Sequence, residues 1–131
     1  MPIQITYCMH RGNTPNQQDA LLVNGEIYQS PDLLPCEANL LGEEALVAIA
    51  DGVAASPQAH LASQLVLKSL AALLAQRPED CHDGLLSARH IRQTQFRLSA
   101  GLAGKRATRG GASSTVVSIG NSNALFEQSG E

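Results

Sequence analysis

"ALVAIADGVAASPQAHLASQLVLKSLAALLA", residues 45–75, contains the change of period that sets the fold class. Its first six residues have no polar face, the pattern of a short strand buried on both sides. Asp51-Gly52 ends that run. Ser56-Pro57 then reads as a helix start, because the Ser hydroxyl can accept from an orphan backbone N–H and Pro loses no bond at the first helical position. Leu61, Ala62, Leu65, Val66, Leu70, Leu73 and Leu74 follow at helical spacing, with Gln58, Gln64 and Lys68 on other faces. Pro78 stops the helix soon after Ala75.

Toward the N-terminus, residues 3–9 alternate Ile3, Ile5, Tyr7 and Met9 with Gln4, Thr6 and Cys8, which predicts a half-buried strand. "ALLVNGEIY", residues 20–28, sets Asn-Gly between two apolar pieces and predicts a hairpin. Pro31, Pro35 and the polar residues of 29–44 read as an irregular connection. Toward the C-terminus, Leu85, Ala88, Ile91, Leu98 and Leu102 keep a weaker helical stripe, and Gly101 and Gly104 mark its end. "ASSTVVSI", residues 112–119, is β-branched, and a further strand is expected over 124–127. The order of strands, two consecutive helices and strands predicts an α+β domain with the helix pair on one sheet face.

At 131 residues the chain holds one core. Its 44% apolar and 16% charged content is that of a globular protein, and with no Trp and only two Phe and two Tyr the core must pack on aliphatic side chains. A net charge of −3 gives no general attraction to nucleic acid or anionic lipid, so neither is an expected partner. No apolar run reaches the ~18 residues of a membrane span, and the N-terminus lacks a basic segment followed by an apolar one. A cytoplasmic location is the expectation. Cys8, Cys36 and Cys81 share no metal-ligand spacing and read as reduced thiols.

Two carboxylates stand out by position: Asp19 directly precedes one predicted strand and Asp51 directly follows another. If those strands are neighbours, the two acids converge. A converging carboxylate pair suits Mg²⁺ or Mn²⁺, hard ions that take oxygen ligands and keep several waters, and Gly52 lets a backbone carbonyl approach closely. On residue types alone turn chemistry is the commoner explanation, since Asp-Gly after a strand is an ordinary turn. "RATRGGASST", residues 106–115, could cradle an anion with backbone N–H groups or could simply be a tight helix-to-strand link. His10, His60, His82 and His90 form no His-x-x-x-His pair; His60 could lie near Asp51, but no residue orients it. Ser113 and Ser114 lack a nucleophile elbow.

The order of these motifs resembles the N-terminal half of the metal-dependent protein phosphatases of the PP2C (PPM) family, in bacterial style. "NQQDALLV", then "VAIADGVAASPQAHLAS" opening a helix, then a second helix and "GGASSTVV", match that family's Asn-(Glu/Gln)-Asp, Asp-Gly, Ala-Ser and Gly-Ser-Thr motifs in sequence. The resemblance spans roughly residues 3–127 and implies a single domain over 1–131. It implies a β-sandwich flanked by helices in α-β-β-α order, of which this chain carries two antiparallel helices on a mostly antiparallel sheet.

It further implies Asp19 and Asp51 as catalytic metal ligands, with the Gly52 carbonyl on one of two Mn²⁺ or Mg²⁺ ions, and hydrolysis of phosphoserine and phosphothreonine in proteins. A serine/threonine kinase would supply such substrates. Thr14 stands where the family has a phosphate-gripping Arg, leaving Arg11 as the nearest substrate-binding cation. Val53, Ala54, Ala55 and Ala59-His60 also depart from the family's usual residues. The Gly-Asp-Ser-Arg strand and two later aspartates that complete the family's site do not follow. The expectation is a truncated domain, weak or inactive alone and prone to self-association through an uncovered sheet. The alternative is a non-catalytic phosphatase-like binding module or regulatory fragment.

Overall fold

The computed structural model describes residues 2–41, 45–53, 58–75, 112–120 and 123–129. Over these the chain is α+β, with antiparallel sheets and one helix. In chain order the elements are β1 (Ile3–His10), β2 (Ala20–Val23), β3 (Glu26–Tyr28), β4 (Asp32–Leu40), β5 (Ala45–Gly52), α1 (Ala59–Ala75), β6 (Ala112–Gly120) and β7 (Asn123–Ser129). One sheet runs β3-β2-β5-β6-β7, and the other is the pair β1-β4. The expected second helix over 85–102, Cys81, His82, His90 and the glycine-rich link of 106–111 lie outside the described residues.

The β2-β3 hairpin turns at Asn24-Gly25, both at positive φ (46° and 97°), which matches the twist of the flanking strands. β5 is central: Leu22 faces Ala48 on one side and Val116 faces Ala48 on the other. α1 packs on the face carrying Ala20, Leu22, Ala48 and Ala50, closing a core with Val66, Leu67 and Leu70. Three alanines on that sheet face leave room for the helix to approach closely, so the core is aliphatic.

Three expectations need correction. β5 is not buried on both sides: Ala48 and Ala50 beneath α1 are buried, whereas Ile49 on the other face is 53% exposed. A run with no polar residue therefore carried no information about which face is covered. The strand also does not end before Asp51-Gly52; β5 runs through both, with Asp51 opposite Ser113 and Gly52 opposite Ala112, so the pair is not a turn.

Residues 29–44 are the third case, because they contain β4, nine residues long and paired antiparallel with β1. Tyr7 faces Cys36 but Met9 faces Leu33, so the register slips at a bulge that takes in Leu34 and Pro35. Proline has no N–H for a ladder, and a bulge in a two-stranded ribbon is where a strand tolerates it. The ribbon turns Ile3, Ile5, Tyr7 and Met9 to one half-buried face, opposite Leu40, Ala38, Cys36 and Leu33. It is tied to the end of β3 by the Tyr7 hydroxyl donating to that of Tyr28 (3.1 Å), and by the Ser30 N–H donating to the Met9 sulfur (3.2 Å). The Arg11 N–H also donates to the Pro31 carbonyl (2.9 Å).

The buried stripe of α1 is Ala59, Ala62, Ser63, Val66, Leu67 and Leu70, centred one position from the apolar stripe of the sequence, with Leu61 and Leu65 half-buried at its edge. No helix among the described residues is long and apolar enough to cross a membrane.

Candidate functional site

Antiparallel pairing brings Asp19 and Asp51 together. Ala20 faces Ala50 across β2 and β5, so the next pair outward is Asp19 and Asp51, on the sheet face that also carries Leu21 and Ile49. Their carboxyls are within hydrogen-bonding reach. Partial burial, and then the Asp51 carboxyl as hydrogen-bond partner and charge, hold Asp19 above the usual carboxylate range, while the Gly52 N–H pulls it the other way. Negative charge on Asp19 is therefore disfavoured by its surroundings, and a bound cation would relieve that.

The backbone around the pair is held closely. Gly52 has no room for a side chain: a Cβ there would run into the Ala59 carbonyl and come within 2.7 Å of the Gln18 carbonyl oxygen. Ser63, wholly buried on α1, donates its hydroxyl to that Gln18 carbonyl (2.6 Å) and accepts from Gln29 Nε2 (3.0 Å). Gln29 Nε2 also donates to the His60 carbonyl (2.8 Å). On the other side, the Asp19 N–H donates to Gln17 Oε1 (3.2 Å), and Gln17 Nε2 donates to the Ser30 carbonyl (3.1 Å).

The other sequence-derived residues take different places. Gly52 has its N–H on the Asp19 side. Arg11 is exposed just after β1, where its Nη1 donates to the Pro15 carbonyl (2.9 Å) and folds back over its own loop. Thr14 sits in the same loop with its hydroxyl 2.7 Å from the Arg11 carbonyl and 2.8 Å from that of Asn16. The structure gives Arg11 no bond to either aspartate. His60 contributes its backbone carbonyl, and His10 Nδ1 accepts from the Gly12 N–H (3.0 Å).

Sequence reading missed Gln17 and Gln29 as parts of the site and had Ser63 only as half of an Ala-Ser motif. A polar residue in the middle of an apolar helical stripe was the available signal, since a hydroxyl buried there needs partners.

A carboxylate pair is oxygen chemistry of the type that hard cations such as Mg²⁺ and Mn²⁺ take, and supplies two of the ligands such an ion needs. No cluster of three or more His, Cys, Asp or Glu that could hold a metal occurs among the described residues. No family model matches the chain, and no curated protein or solved structure matches it.

Proposed function

We propose that the chain is a metal-dependent phosphatase domain of the PP2C type, directed at phosphoserine and phosphothreonine in proteins and weak or inactive by itself. The observation that carries this reading is the pairing of Asp19 with Asp51 at adjacent strands, with a glycine beside them and oxygen as the donor type throughout. Antiparallel sheets with a helix on one face agree with the N-terminal part of that family's sandwich.

In this reading Mn²⁺ or Mg²⁺, when bound, supplies a water of lowered pKa and neutralises phosphoryl charge. Asp19 and Asp51 would hold the cation through their carboxylate oxygens, releasing any proton they share as it binds. The Gly52 amide lies on the side of Asp19 and favours its charged form. Arg11 would meet a phosphoryl oxygen on turning from the Pro15 carbonyl that its guanidinium bonds. The protein substrate would come from a serine/threonine kinase, in the cytoplasm.

Hydrolysis of an aryl phosphate with Mn²⁺ tests the proposal. Turnover that needs Mn²⁺ and is lost in Asp51→Asn supports it, and turnover indifferent to both contradicts it. A second reading, a binding module that keeps the acid pair without turnover, is favoured by the engagement of Arg11 with Pro15. Cation binding without hydrolysis would select it.

A further inference from the structure

We infer that Ser63 and Gln17 are positioning residues that clamp the Gln18–Asp19 peptide from its two ends and so aim the Asp19 carboxylate at Asp51. A peptide unit has one acceptor and one donor, and both are taken here by side chains rather than by a strand partner. Ser63 Oγ donates to the Gln18 carbonyl at 2.6 Å, and Gln17 Oε1 accepts from the Asp19 N–H at 3.2 Å. With both ends held, rotation of the peptide plane is opposed, which restrains the backbone from which the Asp19 side chain departs.

Each clamp is itself anchored. Ser63 is fully buried and accepts from Gln29 Nε2, an amide that bonds the His60 carbonyl as well. Gln17 is 7% exposed, and its other amide end donates to the Ser30 carbonyl. α1 and the segment after β3 therefore grip the same peptide. Gly52 completes the enclosure, since the Gln18 carbonyl passes so close to its Cα that a Cβ would lie 2.7 Å away. Buried hydroxyls and amides are costly unless satisfied, and one bond from each of Ser63 and Gln17 goes to the same backbone unit beside the acid pair.

This inference rests on the reading of Asp19 and Asp51 as a cation site, and it has a readout that does not. In metal-free protein the Asp19 amide proton, followed by NMR, exchanges slowly in the wild type and quickly in Gln17→Ala. Ser63→Ala moves the Gln18 carbonyl carbon resonance. With Mn²⁺ as the probe, calorimetry on either variant gives affinity weakened about 10-fold or more, the usual cost of losing a group that orients a ligand. In an Asp19→Asn background, Ser63→Ala has no further effect on Mn²⁺ affinity, because it acts through Asp19. Ser69→Ala, at another buried serine of the same helix (8% exposed), leaves Mn²⁺ affinity unchanged and reports any general loss of stability. Should Ser63→Ala not fold, Ser63→Cys keeps the volume and weakens the bond.

Wild-type Asp19 exchange and Gln18 resonance in folded Gln17→Ala and Ser63→Ala overturn the clamp, whatever Mn²⁺ does. Absence of Mn²⁺ binding to the wild type, together with the expected amide and carbonyl changes, overturns the cation site and leaves the clamp standing.

Discussion

Gly52 and Gln18 lie so close that the Gln18 carbonyl oxygen would be 2.7 Å from any Cβ placed on Gly52. Both partners are backbone, and the Ala59 carbonyl closes the third side, so no side-chain movement can make room. Gly52→Ala therefore shifts β5 away from α1 or from the Asp19 segment. A loss of about 1–3 kcal/mol is expected, the range of overpacking in a tight interior. Urea unfolding measures it, and an unchanged midpoint would contradict the close approach.

Asp51 stands beside Asp19 as a hydrogen-bond partner and as a charge, and both disfavour ionisation of Asp19. Burial first, and then Asp51, raise Asp19 from its ordinary 3.8. A carboxyl raised in the folded state contributes stability that is fully present below the unfolded value and lost as pH rises through the folded one. Above the raised range the charged form of Asp19 is thus a net cost. Metal-free Asp19→Asn is expected to be more stable than the wild type at pH 7, by no more than about 1 kcal/mol for a partly exposed charge pair, and the gain disappears near pH 3. Thermal melts at the two pH values check the sign.

Tyr7 is pushed up to about 12, first by its hydrogen bond to Tyr28 and then by desolvation and by Tyr28, Cys36 and Glu26 as neighbouring charges. The stabilisation linked to that shift is present below the ordinary value of 10.0 and lost as pH rises through about 12. With two tyrosines and no Trp in the chain, tyrosinate absorbance resolves it. Tyr28→Phe removes the acceptor of the Tyr7 hydroxyl, and Tyr7 then titrates nearer 10.

Leu67 is fully buried at the centre of the α1 stripe, whereas Leu65 is half-buried at its edge. Leu67→Ala should cost about 2–5 kcal/mol, and Leu65→Ala clearly less. Equal losses in chemical denaturation would mean that the helix is rotated from the face described.

How far the fold could be read depended on whether a residue's pattern had one cause. The hairpin at Asn24-Gly25 and strands β1 and β6 were legible, since alternation, β-branching and a turn that demands positive φ each point one way. β4 was not, because Pro31 and Pro35 are strand breakers in isolation and the bulge at Leu34-Pro35 throws the alternation out of phase. Asp51 was misplaced for a related reason: Asp-Gly favours turns locally, and only pairing with Ser113 and Ala112 on β6 keeps it extended. The meeting of Asp19 with Asp51 was legible as a condition, that β2 and β5 be neighbours, and the register meets it. Gln17, Gln29 and Ser63 were hidden, because a clamp on a peptide is a property of three segments that meet only in space.

Calorimetric titration of the metal-free chain with Mn²⁺ at pH 7, beside Asp19→Asn and Asp51→Asn, tests most directly whether the two aspartates form one cation site. The expected result is a heat of binding in the wild type that either substitution abolishes, with both variants still folded. Binding that survives both substitutions, or no binding to the wild type at millimolar Mn²⁺, would contradict it.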